Sequence, residues 1–277
     1  MVGLAREREV AVAAAERAAR AIMAIYESGF AVDYKDDAQD DPVTHADRTG
    51  NAIVVDALRA AFPDDVIVAE ESAVPPGFGR SERCWFVDPL DGTKEFVARN
   101  GEFCVMVGLA IGGRAALGVV VAPAQDGGYV LIGEPGVVSE RRDRRGSSRV
   151  TVSTTSTPAD ARLLVSRSRT PPKIGELVTR LGVTSARPCG SVGVKIAELA
   201  LDHADVYVHV PAGPGKGGPK LWDLCAPEAI LVAAGGRFTD IHGASIQYQS
   251  GQVAHDLGIV ATNGLLHPAV LDALADL

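Results

Sequence analysis

Asp88 and Asp91 stand three positions apart in Asp88-Pro89-Leu90-Asp91-Gly92-Thr93, directly after the apolar run Cys84-Trp85-Phe86-Val87. A strand that runs into Pro-Leu and then glycine must turn sharply, so both carboxylates sit on a short rigid loop with the Leu90 carbonyl between them. Such a loop suits magnesium, which takes few protein oxygens and keeps waters and substrate phosphate oxygens as its other ligands. The same residues also suit a surface Asp-Gly turn capped by Asp88. Further acidic positions widen the pattern. Glu70-Glu71 closes the run Val66-Ile67-Val68-Ala69, Asp223 precedes an apolar helical stretch, and Asp47 follows Pro42-Val43-Thr44-His45-Ala46. Carboxylates from these distant segments could converge at one edge of a sheet, where α/β folds carry their chemistry. Taken singly, Asp47 also suits a helix N-terminal carboxylate and Asp223 an N-cap.

The elements that must position these residues can be read from periodicity. Leu4 to Ser28 alternates charged and apolar positions at helical spacing and stops at Gly29, and Asp47 to Ala61 gives a second helix closed by Pro63. Val66–Ala69 and Cys84–Val87 read as buried strands ending at the acidic clusters. Phe103–Ile111 and Ala115–Val121, joined by Gly112-Gly113-Arg114, read as a hairpin that Tyr129–Ile132 extends. Ser139 to Arg149, dense in arginine, serine and glycine, reads as a solvated loop and a boundary between residues 1–150 and 151–277. The second half alternates: strand Arg162–Val165, helix Ile174–Leu181, helix Val194–Leu201, strand Val206–Val210, a flexible Pro211–Pro219 loop and a buried helix Cys225–Ala234. The expectation is an α/β layered fold, with a larger metal-bearing first half and a smaller second half.

Composition narrows the function. With 277 residues, 47% of them hydrophobic, the chain buries a sizeable core, which excludes disorder of the whole. A net charge of −8 argues against a nucleic-acid polymer as partner. A highly anionic small substrate then needs local help, which bound cations would supply. The four cysteines lack any CxxC pairing and read as reduced, buried thiols. The charged N-terminus lacks the apolar core of a signal peptide, and no apolar run reaches membrane-spanning length, so a cytoplasmic protein without a membrane partner is expected.

The carboxylate segment, with Glu70-Glu71-Ser72 upstream and Trp222-Asp223 downstream, resembles the lithium-sensitive, metal-dependent phosphatase superfamily of inositol monophosphatase and fructose-1,6-bisphosphatase. The likeness runs over most of the chain. Asp91-Gly92-Thr93-Lys94-Glu95-Phe96 with Asn100-Gly101-Glu102-Phe103, Ser166-Arg167-Ser168 and Trp222-Asp223-Leu224-Cys225-Ala226-Pro227-Glu228 are similar to the 3′(2′),5′-bisphosphate nucleotidase (CysQ) branch.

That resemblance implies an αβαβα sandwich, two or three magnesium ions, and a small phosphorylated substrate attacked by metal-activated water. Glu70, Asp88 and the Leu90 carbonyl would hold one ion, and Asp88, Asp91 and Asp223 a second, while Asp47 and Thr93 would orient and deprotonate the water. Gly92 and Thr93 would meet the phosphate, and Glu70, Leu90, Asp91 and Asp223 would line its site as well. Ser191 and Lys195, in Gly190-Ser191-Val192-Gly193-Val194-Lys195, would bind the nucleotide and its remaining phosphate. Ser191 also suits an N-cap and Lys195 a solvated helix lysine. Two positions depart from the branch: Arg169 stands where histidine is common after Ser-Arg-Ser, and Ala69 where glycine often precedes the paired glutamates. Arginine grips phosphate bidentately but neither stacks nor titrates as histidine does. Lys35, Lys216 and Lys220 are further cations near the expected site. Within the superfamily homodimers are common. The implied reaction is hydrolysis of 3′-phosphoadenosine 5′-phosphate to AMP and phosphate, with an inositol monophosphatase or sugar bisphosphatase as runner-up and a non-catalytic nucleotide sensor as a different class.

Overall fold

Small side chains at helical spacing decide the first layer. In a computed structural model, which describes residues 3–34, 42–168, 171–211 and 218–275, helix α1 (Ala5–Ser28) buries Ala11, Ala14, Ala15, Ala18, Ala19 and Ile22 along one face. It packs against α2 (His45–Ala61), which buries Ala46, Val54, Val55 and Leu58. Between them β1 (Val32–Tyr34) and β2 (Pro42–Thr44) form a small antiparallel pair. Helix α2 starts two residues before the expected Asp47, because Thr44 serves as its N-cap and accepts from the Ala46 amide at 3.1 Å.

The larger sheet runs in chain order: β3 (Val66–Ala69), β4 (Arg83–Asp91), and, after the short α3 (Thr93–Val97), β5 (Cys104–Ile111), β6 (Arg114–Ala122), β7 (Tyr129–Glu134), β8 (Val138–Asp143) and β9 (Gly146–Arg149). Only the β3–β4 pair is parallel among these strands. Two expectations change here. Strand β4 does not stop at Asp88 but pairs with β5 on to Asp91, with a register irregularity between those two residues. The expected solvated loop at Ser139–Arg149 is mostly the β8–β9 hairpin, whose charges pair along the strand, Arg142 with Glu140 and Arg141 with Asp143.

The second sheet has the order β11-β10-β12-β14-β13. It comprises β10 (Arg162–Ser166), then, after α4 (Pro172–Leu181), β11 (Ser185–Cys189); after α5 (Val192–Ala200), β12 (Val206–His209); and after α6 (Leu221–Ala233), β13 (Arg237–Thr239) and β14 (Ile259–Thr262). The last helix is α7 (His267–Ala275). Helices α1 and α2 cover one face of the first sheet and α5 and α6 the other; the second sheet lies beyond them, with α4 and α7 outermost. The order is the expected αβαβα sandwich.

A row of glycines sets how deeply α6 sits. Gly108, Gly118 and Gly133 are cross-strand neighbours on β5, β6 and β7. A Cβ on Gly118 would lie 2.1 Å from the Ala226 carbonyl oxygen, and one on Gly133 2.3 Å from the Ile230 Cα. The helix backbone therefore rests directly on the sheet, and the carboxylate in its first turn is carried towards β4. Phe86, Phe96 and Phe103 are wholly buried, each burial being worth about 1.5–3 kcal/mol.

Candidate active site

Thr44 and Asp47 are built as one unit at the start of α2. Asp47 is 1% exposed, and its Oδ2 accepts from the Thr44 amide at 2.6 Å and the Thr44 hydroxyl at 2.7 Å. Its other oxygen, Oδ1, accepts from Thr93 Oγ1 at 3.0 Å, and the same hydroxyl lies 3.2 Å from the Leu90 carbonyl oxygen. Burial raises the Asp47 pKa, opposed by the Thr44 and Thr93 hydrogen bonds and reinforced by the charge of Glu71. Gly92 takes a left-handed conformation (φ 94°) that lets β4 turn directly into α3 and delivers Thr93 to this carboxylate.

Of three more carboxylates, Asp88 is buried and Asp91 and Asp223 are half-buried. Asp88 Oδ1 accepts from the Leu90 amide at 2.9 Å, and Asp223 Oδ2 from the Lys220 amide at 2.7 Å. Asp223 is the third residue of α6, not its cap; Lys220 takes that place because the helix begins four residues before the expected Cys225. Burial pushes the Asp88 pKa well above the carboxylate range, and the charges of Glu70, Asp91 and Asp223 push it further. Asp223 is raised in the same way, by burial and then by Asp91 and Glu70. Asp91 is also raised by burial, but Ser191, the Gly193 amide and Lys195 pull it back. The end of β3, the end of β4 and the start of α6 thus share one field of negative charge.

A hard divalent cation fits this donor set: the groups are carboxylates and a carbonyl, and the nearby Cys104 thiol is held well above its usual pKa by burial and so stays protonated. Among the described residues no group of three or more acidic, imidazole or thiol side chains is drawn to ligand spacing as it stands. Asp91 turns Oδ2 towards the start of α5, accepting from Ser191 Oγ at 2.5 Å and the Gly193 amide at 2.6 Å.

The expected substrate residues fall differently. Ser191 caps α5, accepting from the Val194 amide at 3.0 Å while donating to Asp91. Lys195 is 3% exposed and no solvated helix lysine. Its Nζ donates to the carbonyls of Cys189 at 3.2 Å and Gly190 at 3.1 Å and lies 5.0 Å from the Tyr207 ring centroid. Burial lowers its pKa, against the charges of Asp91, Glu95 and Glu102. Arg169, Lys35 and Lys216 lie outside the described residues. Glu102 and Arg167, which carry no role in the sequence beyond their place in the branch motifs, meet beside this turn, Arg167 Nη2 donating to Glu102 at 2.6 Å. Burial works against the Glu102 charge, but Arg167 and the Gly190 amide outweigh it and hold the pKa low. All four cysteines are buried and unbridged.

The five-layered sandwich, with acidic residues at the ends of β3 and β4 and at the starts of α2 and α6, can be compared with known families. The sequence profile of the inositol monophosphatase family matches residues 4–277, and the chain belongs to that family. It is 34% identical over 240 residues to the 3′(2′),5′-bisphosphate nucleotidase CysQ of Salmonella typhimurium, covering 84% of this chain and 90% of that one. It is also 29% identical over 280 residues to the Nus factor SuhB of the same species, covering 96% and 95%. Among solved structures, the inositol monophosphatase of Anabaena (Nostoc) sp. PCC 7120 superimposes with a TM-score of 0.79 at 28% identity, covering 99% of this chain and 97% of that one. No helix among the described residues is long and apolar enough to cross a membrane.

Proposed function

We propose that this chain is a magnesium-dependent phosphatase that hydrolyses the 3′-phosphate of 3′-phosphoadenosine 5′-phosphate, giving AMP and inorganic phosphate. The observation that carries the phosphatase chemistry is the contact of Thr93 Oγ1 with Asp47 Oδ1 at 3.0 Å, on the helix that follows the Asp88–Asp91 strand end. A hydroxyl whose own proton is drawn to a carboxylate offers its lone pairs to the proton of an attacking water. Asp47, made more basic by burial, takes the relayed proton. The water oxygen bonds to phosphorus, the ester bond to the 3′ oxygen breaks, and that oxygen leaves with a proton from solvent water, while Asp47 releases its proton to solvent. Magnesium held by Glu70, Asp88 and the Leu90 carbonyl, and by Asp88, Asp91 and Asp223, would offset the phosphate charge and ease deprotonation of the water.

The nucleotide preference is supported by the 34% identity to the CysQ nucleotidase, which exceeds the 29% to SuhB and the 28% to the Anabaena inositol monophosphatase. Arg169, placed on the substrate side by the resemblance, adds a cation to that reading. A phosphate-release panel with 3′-phosphoadenosine 5′-phosphate, inositol 1-phosphate and fructose 1,6-bisphosphate in magnesium ranks the readings. The highest kcat/KM belongs to the bisphosphonucleotide; a higher value for inositol 1-phosphate would replace this reading with an inositol monophosphatase.

A further inference from the structure

Glu102 has no part in the proposed reaction, yet both of its oxygens are engaged. Oε1 accepts from Arg167 Nη2 at 2.6 Å, while Oε2 accepts from Arg167 Nε at 3.2 Å and from the Gly190 amide at 2.6 Å. Arg167 comes directly after β10, its amide donating to the Cys189 carbonyl at 3.2 Å. Glu102, from the segment between α3 and β5, therefore reaches across to the turn that joins β11 to α5. Lys195 holds the carbonyls of that same turn from within. Ser191, at the end of the turn, and Gly193, in the first turn of α5, hold Asp91. The turn at 189–191 is thus gripped on two sides, and the Asp91 carboxylate leans on its junction with α5.

A contribution to stability alone explains this poorly. The Arg167 and Glu102 side chains are 41% and 18% exposed, and ion pairs so open to water typically add only about 0–1 kcal/mol. A bidentate guanidinium–carboxylate pair with a backbone donor on the same carboxylate is, however, directionally demanding. We propose that Glu102 is a positioning residue: with Arg167 and the Gly190 amide it fixes the 189–191 turn against the first sheet and so sets the grip on the part of the substrate beyond the scissile phosphate. This rests on the reading that the 190–195 segment faces the nucleotide.

Three variants separate the contacts. Glu102→Gln keeps an acceptor for the Gly190 amide but loses the charge facing Arg167; Arg167→Ala leaves Glu102 on Gly190; Glu102→Ala removes both links. Hydrogen exchange of 189–194 in the substrate-free protein and KM and kcat with 3′-phosphoadenosine 5′-phosphate and inositol 1-phosphate are measured for each. Glu102→Ala speeds exchange at 189–194 while leaving the strands at 84–91 and 104–111 as in the wild type. It raises KM for the bisphosphonucleotide about tenfold, the size of one charge-assisted hydrogen bond, with kcat and the inositol 1-phosphate constants nearly unchanged. The single-contact variants fall between. Unchanged exchange at 189–194, or equal losses of kcat on both substrates, overturns the proposal. A wild type that prefers inositol 1-phosphate overturns the nucleotidase reading instead, and the exchange measurement still decides whether Glu102 fixes the turn.

Discussion

Thr93 Oγ1 donates to Asp47 Oδ1 at 3.0 Å, joining the first turn of α2 to the first residue of α3. The Leu90 carbonyl, 3.2 Å from the same hydroxyl, is a second acceptor for its single proton. Thr93→Val keeps the shape and removes the relay, so kcat falls about 10²–10⁴-fold, the usual range for a proton-transfer group, with Tm nearly unchanged. Thr93→Ser restores much of the rate. A Thr93→Val enzyme within fivefold of the wild type in steady-state phosphate release contradicts the role given to this pair.

The buried carboxylates repel one another, which gives Asp88 a second readout besides activity. Asp88→Asn removes one buried charge that Glu70, Asp91 and Asp223 all oppose. In chelator, the variant melts at a higher temperature than the wild type, because burial and the neighbouring charges no longer oppose a carboxylate at this position. The wild type gains stability from added magnesium by mass action and the variant does not. A variant that melts lower in chelator and still responds to magnesium would mean that Asp88 is neither strained nor a ligand.

Much of this site was legible, and the failures have physical causes. The Asp88–Thr93 segment and Glu70 stand out because apolar runs lead into them, and buried strands announce themselves by composition; Asp47 stands out at the start of a helical pattern. The start of α6 was hidden because Leu221-Trp222-Asp223 comes after a glycine- and proline-rich stretch, so Asp223 read as a residue before the helix and not within it. The β8–β9 hairpin was hidden by its charges, which pair along an edge strand as readily as they face water. Ser191 and Lys195 were found as residues, but their nearest partners were not: the Asp91 oxygen lies 100 residues from Ser191 in sequence. Glu102 was invisible as an actor because its partners lie 65 and 88 residues away.

Lys195 and Arg169 carry the cationic side of the substrate claim. Lys195 holds two backbone carbonyls from a buried position, so Lys195→Met loses stability, about 1.5–3 kcal/mol for each bond to a charged group, and also weakens the bisphosphonucleotide. Arg169→Ala keeps Tm and loses about ten- to a hundredfold in kcat/KM for the bisphosphonucleotide, with a far smaller loss for inositol 1-phosphate. Equal losses on both substrates for Arg169→Ala would remove it from the nucleotide side.

Glu228, on α6, gives a pH test away from the chemistry. Burial lifts its pKa from 4.5 to about 7, against the Tyr248 hydrogen bond and Arg114. The folded state therefore holds a proton that the unfolded state releases, and stability falls as pH rises from about 4.5 to about 7, by a total of about 3 kcal/mol. Glu228→Gln, which cannot ionise, flattens that decline. Denaturant unfolding at a series of pH values checks it, and identical slopes in the two proteins would show that Glu228 does not titrate in this window.

The most direct test of metal-dependent hydrolysis is phosphate release from 3′-phosphoadenosine 5′-phosphate by the wild type and Asp88→Asn, in chelator and after magnesium is restored. The expected result is no turnover in chelator, full recovery with magnesium, and a loss of about 10³-fold or more in Asp88→Asn at saturating magnesium. Turnover that persists in chelator, or an Asp88→Asn rate within tenfold of the wild type, would contradict it.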